Sequence, residues 1–331
     1  MTGYIIRRVL WIFPVLWAIT LITFVLMHNV PGGPFEAGET KAGQAGTQAM
    51  IAKYHLNDPV FFNWSGCAHV SPDCFSSQYF TYMKNLAKGD LGPDLKNPGL
   101  SVNHILAASW KPTVELGILT TLYVLVVGMS LGILAALRKN SVLDYLSVGF
   151  ATVGASVPNF VLGIMLVLMF ATGGFPLIHF KVLPAVGWAK SWTDWKPVVL
   201  PVIALGSLPA AYIARLTRAS VLEVMNQDYV RTARAKGLRE QVVLLRHIVR
   251  NAMIPVITLI GPIVAGLVTG SFIIEYFFSI PGIGRTYVQA VLGRDYPMIM
   301  ATTLLYGLVI AVANLTVDLL YSVTDPRIRY T

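Results

Sequence analysis

The chain has 331 residues, is 55% hydrophobic and carries a formal net charge of +9, with a mean hydropathy of +0.64. Its apolar residues fall in long uninterrupted blocks, which a soluble domain does not build. The positive charge lacks the solvent-facing basic domain and groove-reading elements of a nucleic-acid surface, so nucleic acid is not expected as a partner.

The N-terminal segment 1–30 holds Arg7 and Arg8 and then the charge-free block Val9–Val30. This block is longer than a signal-peptide core, and no A-x-A-like site follows in HNVPGGPFEAG, so it reads as a retained first spanning helix. Residues 31–109 are polar and rich in glycine, then aromatic at Phe61–Trp64 and Cys74–Tyr82. They read as a small folded cap on the outer face, helical near Gln44–Tyr54 and Ser77–Leu86. Cys67 and Cys74 both lie there. An external compartment permits a disulfide between them, and two free thiols are the alternative.

Residues 110–331 hold five further apolar blocks: Val114–Leu137, Leu146–Phe175, Val198–Ala214, Asn251–Ile274 and Tyr296–Val317. The block at Val198–Ala214 is the weakest, being short and holding Pro201 and Pro209. At Pro158–Asn159 the third span is either broken or kinked, because proline removes a donor and crowds the preceding turn. Gly128 with Gly132, and Gly266 with Gly270, have the G-x-x-x-G spacing that lets helices approach closely, a weak pointer to a dimer face. Between spans, Trp188, Trp192 and Trp195 suit the headgroup level or a packed contact. Pro281, Gly282 and Gly284 break regular structure before a short helix over Thr286–Leu292.

These blocks make the chain an all-α polytopic membrane protein with six spanning helices and an extracytoplasmic insertion between the first and second. With both termini inside, Arg138, Lys139, Arg215, Arg218, the basic stretch below, Arg327 and Arg329 all fall inside, as the positive-inside rule requires. No P-loop, H-E-x-x-H, C-x-x-C or G-x-S-x-G is present, so no catalytic residue is assigned. The histidines His28, His55, His69, His104, His179 and His247 are scattered, and no metal site is assigned. Glu115 and Asp318 are the acids singled out near span ends, and Asp318 reads as a structural residue paired with a helix end or with Asn314. An ion-coupled carrier would need mid-membrane acids and an internal repeat, and neither stands out.

The inside segment 223–250 contains DYVRTARAKGLREQVVLLRHIVR from Asp228 onward. Good helix formers flank Gly237, which ends one helix and turns into the next. Ala233, Ala235 and Leu238 offer small apolar contact, Arg231, Arg234 and Arg239 flank them, and Lys236 lies between. Such a surface rests on anionic lipid or docks a soluble subunit; composition does not choose.

The stretch YVRTARAKGLREQVVLLRHIVRNAMIPVIT resembles the cytoplasmic signature loop of binding-protein-dependent ABC importer permeases, in the form found in the dipeptide, oligopeptide and nickel branch. Arg231 stands where the general pattern has an acid, and the proline is displaced to Pro255. MTGYIIRRVLWIFPVL, SIPGIGRTYVQAVLGRDYP at Ser279–Pro297 and NLTVDLLYSVTDPRIRY at Asn314–Tyr330 are similar to other parts of the family. The resemblance implies a type I ABC importer permease fold in the cell inner membrane, and half of a translocation path for di- or oligopeptides. Nickel chelates and glycosides are the alternative cargoes. It implies a second homologous permease subunit, two cytoplasmic ATPase subunits and an extracytoplasmic binding protein as partners. ATP and magnesium would be bound by the ATPases and not by this chain. Arg234–Leu238 would then sit in the cleft of one ATPase and transmit its motion.

Overall fold

The computed structural model describes residues 2–31, 56–63, 75–97, 99–173, 182–191 and 193–324, with side chains placed from residue 6 to residue 318 of those. The expected helix over Gln44–Tyr54, the Cys67–Cys74 pair and Trp192 lie outside the described residues, as do Arg327 and Arg329. Twelve helices are described in chain order: α1 Thr2–Asn29, α2 Gln78–Leu86, α3 Val102–Leu137, α4 Val142–Ser156, α5 Asn159–Phe170, α6 Lys196–Met225, α7 Asp228–Ala235, α8 Glu240–Ala252, α9 Ile254–Val268, α10 Phe272–Phe277, α11 Ile283–Gly293 and α12 Tyr296–Thr324. Helix α8 winds with π-helical turns over Val243–Val249. Four helices, α1, α3, α6 and α12, are long and apolar enough to cross a membrane, and the bent pairs α4–α5 and α8–α9 bring the number to six.

The bend between α4 and α5 is 115°. Pro158 lies between the two helices, and Val157 before it is extended (φ −90°, ψ 124°), as the residue before a proline prefers. The span is therefore broken, not gently kinked. Helix α6 corrects the reading of Val198–Ala214 as a weak, short block. It runs for 30 residues through Pro201 and Pro209. Neighbouring helices enclose it, so freed backbone groups are shielded from lipid.

The chain divides into two compact units, one of residues 111–285 and 310–331, the other of residues 2–110 and 286–309. In the first unit α6 is central, with Ala204, Ala210, Ile213 and Thr217 fully buried. Small residues let its neighbours come close. A Cβ on Gly128 would lie 2.9 Å from the Ala210 carbonyl, and one on Gly132 would lie 2.6 Å from both the Ala214 carbonyl and Thr217. This G-x-x-x-G face is thus spent on α3–α6 packing inside the chain and is not a dimer face. The second pair is not one helical face at all, because α9 ends at Val268 and Gly270 has φ +83°. At the start of α4, Arg218 of α6 grips Asp144 with two hydrogen bonds of 2.7 and 2.8 Å. The Asn140 amide also donates to Asp144, at 3.0 Å.

In the second unit, the described part of the cap is fastened to the end of α1. Gln78 donates to the Leu56 and Asp58 carbonyls at 2.9 and 2.8 Å, and its Oε1 lies 3.2 Å from His28 Nε2. Phe24 meets the rings of Phe61 and Tyr79 at 5.2 and 5.1 Å. Two rings of the aromatic runs, Phe61 and Tyr79, thus pack against the end of α1. Asp295, buried at the start of α12, accepts from the Leu95 and Met298 amides at 2.9 and 3.1 Å. Burial, assisted by Asp94, pushes its carboxyl up to about 6.

Candidate functional site

The basic stretch folds as a helix–turn–helix. Helix α7 starts directly after α6, with Asp228 in its first turn, where a carboxylate complements the helix dipole. Val230 and Ala233 are its buried residues, so Ala233, expected with Ala235 and Leu238 as outward apolar contact, belongs instead to the base. Three positions apart, Val230 and Ala233 share one face and join the core of the unit with Val243, Ile248 and Ala252 of α8. Opposite that face the residues point outward.

The turn itself is closed by backbone chemistry. Lys236 caps α7, and Gly237 follows in the left-handed region at φ +75°. The Gly237 amide donates to the Arg234 carbonyl at 2.9 Å, and the Leu238 amide to the Ala233 carbonyl at 3.4 Å. This pair of bonds is the Schellman arrangement, in which glycine is favoured because a Cβ is strained there. Across the turn Arg234 is bidentate to Glu240, with 3.2 Å from Nε and 2.7 Å from Nη2. Within the chain the Arg234 guanidinium is thus engaged by Glu240. Arg231 lies 3.8 Å from Asp228, and both are exposed.

Every residue from Arg234 to Val242 is exposed. A Cβ on Gly237 would meet nothing within 4 Å. Ala235, Gly237 and Leu238 thus form a low apolar tip, with Leu238 41% exposed. Lys236 and Arg239 flank it, and Tyr229, Val242 and Leu245 continue the exposed apolar surface. The arrangement is a rigid knob: its base is buried, its turn is held by three cross-links, and its tip is free of intrachain contacts on the glycine side. Tyr229 and Asn251 brace the two helices at 3.2 Å.

At the sequence positions expected to break structure, the unit builds a second polar centre. Glu275 of α10 is fully buried. Its Oε2 accepts from Thr113 Oγ1 at 3.1 Å and from the Gly284 amide at 2.8 Å. Thr113 in turn accepts from the Ile283 amide at 2.9 Å. A Cβ on Gly270, Gly282 or Gly284 would crowd the Glu275 carboxyl. Gly282 and Gly284 are therefore more than helix breakers, and Pro281 precedes them in the same bend. Reading the sequence for acids selected Glu115 and Asp318 and passed over Glu275, although it is the only acid between Glu240 and Asp295. Glu115 accepts a 3.1 Å hydrogen bond from Trp188 Nε1, which makes Trp188 a packed ring and leaves Trp195 exposed. Asp318 is half-buried and Asn314 exposed. No group of three or more metal-ligating side chains occurs among the described residues.

Comparison with known proteins covers the whole chain. Residues 128–330 match the family described as "Binding-protein-dependent transport system inner membrane component". The dipeptide transport system permease protein DppB of Bacillus subtilis (strain 168) is 40% identical over 99% of this chain and 98% of its own length. The oligopeptide transport system permease protein OppB of Salmonella typhimurium is 38% identical over the full length of both. The oligopeptide transport system permease protein AppB of Bacillus subtilis is 34% identical over both full lengths. A crystal structure of an amino acid ABC transporter covers 66% of this chain with a TM-score of 0.48 and 16% identity. With a matching family model over more than half its length and full-length relatives above 30% identity, this all-helical, multi-pass membrane chain belongs to the inner membrane permease components of binding-protein-dependent transport systems.

Proposed function

We propose that the chain is one of two permease subunits of an ATP-driven peptide importer and forms half of its translocation path. Full-length identity to dipeptide and oligopeptide permeases supports peptide as the cargo, ahead of nickel chelates or glycosides. The other members would be a second homologous permease, two cytoplasmic ATPase subunits that bind ATP and magnesium, and an extracytoplasmic binding protein. Both termini and the 223–250 segment would face the cytoplasm, as the charge distribution suggests. The chain itself would do no chemistry on its cargo or on ATP.

The single observation that carries the coupling role is the exposed turn Arg234–Glu240 on its buried base. Transmission of force needs an element that does not deform when pushed. The Schellman turn, the Arg234–Glu240 pair and the buried Val230 and Ala233 meet that need. The same knob leaves Leu238, Lys236 and Arg239 available to a cleft on an ATPase. Asp318 would serve assembly and not cargo choice.

The test is ATP-dependent uptake in proteoliposomes holding the full complex and its binding protein. Labelled di- and oligopeptides should accumulate, and nickel chelates and glycosides should not. Accumulation of a nickel chelate or glycoside with peptides excluded would overturn the cargo assignment.

A further inference from the structure

Glu275 has an environment that the coupling reading does not use. It sits in α10, just beyond α9, and its side chain is fully buried. Around it are Thr113 of α3 and glycines 270, 282 and 284, all small enough to close on the carboxyl group. One carboxyl oxygen, Oε2, takes the hydrogen bonds from Thr113 and Gly284. The other, Oε1, is buried with no hydrogen-bond partner among the described residues.

Among the described residues no cation answers this acid. Helix α5, packed on α10, has no charged residue, and neither has α10 itself apart from Glu275. On α3 the nearest charges in sequence, Lys111 and Glu115, pair with one another at 3.8 Å. The side chain of Arg285 turns to the Ser279 carbonyl at 3.0 Å. On the adjoining face of α6, Lys196 is the only charged residue before Arg215. A buried carboxylate without a counter-charge is costly, and its neutral acid costs less. Desolvation pushes the Glu275 carboxyl up to about 7 against the pull of its backbone and Thr113 donors.

The carboxyl also holds something. Through Thr113 it connects α3 to the amides of Ile283 and Gly284, at the start of α11. The backbone carbonyl of Glu275 accepts from Ile280 at 2.8 Å, and the Phe278 carbonyl accepts from Gly187 at 2.8 Å. The two connections 182–190 and 278–285 are thereby tied together, and tied to α3, at the N-terminal end of α6. The knob at Asp228–Glu240 follows the C-terminal end of the same 30-residue helix, roughly 45 Å of helix away.

We propose that Glu275, as a neutral carboxylic acid, is the positioning residue that locks the Phe278–Arg285 connection to α3 at the end of the unit opposite the coupling turn, so that its ionisation releases the connection and slows transport. The inference rests on the importer reading for its transport consequence only. The lock itself is a property of the chain. The ionised form places an unbalanced charge in a tight, water-poor cradle on which three glycines close. Relief comes by letting water in, which means moving the 278–285 connection off α3.

Two readouts on the assembled complex test this. The first is amide hydrogen exchange of peptides covering 278–285, in wild type and Glu275→Gln, each compared at the same pH from about 5.5 to 8.5. The second is the uptake rate at the same external pH values. Glutamine is the isosteric neutral mimic. Wild type should exchange faster than Glu275→Gln above about pH 7, by about tenfold or more, and match it at the acid end. Wild-type uptake should fall over the same range while Glu275→Gln stays flat. Equal exchange and equal pH profiles for the two proteins would overturn the proposal. So would a Glu275→Gln complex of normal stoichiometry that no longer transports at any pH, since a carboxylate would then be required. If Glu275→Gln fails to assemble, wild type alone decides: exchange at 278–285 that does not rise with pH beyond that of the α6 core rules the lock out. A wild-type complex that moves no peptide under any condition counts against the importer reading, and the exchange comparison still scores the lock.

Discussion

Gly237 and Gly282 are both glycines at bends, yet for different physical reasons. At Gly237 the backbone demands a positive φ and space is open. A branched side chain there costs about 1–2 kcal/mol of local strain without any clash. Gly237→Asn should keep the turn, because asparagine tolerates the left-handed region. Gly237→Val should lose most ATP-driven uptake, about tenfold or more, while inserting in the membrane normally. Uptake and membrane yield of the two variants check this, and equal uptake would remove the turn from the mechanism. At Gly282 the constraint is the Glu275 carboxyl, which a methyl group would overlap. Gly282→Ala should therefore lower the melting temperature of the complex. Combining it with Glu275→Ala, which vacates the space, should recover part of the loss. Strict additivity of the two changes would contradict the cradle. The need for a glycine at 237 is legible in the sequence, since it interrupts a run of helix formers. The cradle is not. Its partners are a threonine 162 residues away, backbone amides and missing side chains, which leave no local pattern of residue types. The Arg234–Glu240 pair was equally hidden, because charge composition does not say which of several exposed arginines meets the acid.

Helices α3, α4 and α6 show what the sequence tells about elements. The apolar blocks marked the spans, and Pro158 marked either a break or a kink, because both depend on residues adjacent in the chain. The partner of each face depends on residues far away. Hence the Gly128–Gly132 face announced close packing without announcing α6. The Arg218–Asp144 clamp follows the same logic, since 74 residues separate its members. Arg218→Ala removes both hydrogen bonds of the guanidinium to Asp144 and should lower the melting temperature. Asp144→Asn with Arg218→Gln should cost less than Arg218→Ala alone. Thermal unfolding in detergent compares them, and a larger loss for the double variant would show that the clamp is not an ion pair. Asp295 sets a pH dependence at the head of α12. Its folded pKa of about 6 lies above the ordinary 3.8. Its contribution to stability is therefore full below about pH 4 and is lost as pH rises through about 6. Asp295→Asn should flatten the melting temperature over that window, and an unchanged pH slope would remove Asp295 as its source.

As a whole molecule, the proposed importer half would receive force at one turn and respond through its membrane helices. The six-span reading follows from block length and the cap reading from aromatic content, of which Phe61 and Tyr79 meet Phe24 among the described residues. Orientation rests on charge. Single cysteines at Asn57 and Gln241 in intact cells test it with an impermeant thiol reagent. The Asn57 site should label and the Gln241 site should not; ready labelling at Gln241 would invert the topology. The central claim is that the Arg234–Glu240 turn is the contact with an ATPase. Its most direct test is a Leu238→Cys variant in the assembled complex, treated with a short thiol-to-amine cross-linker with and without ATP. The account predicts a covalent adduct between this chain and the ATPase subunit, in a yield that changes with ATP. A complex of full stoichiometry in which Leu238→Cys reacts with small probes but never links to the ATPase would contradict it.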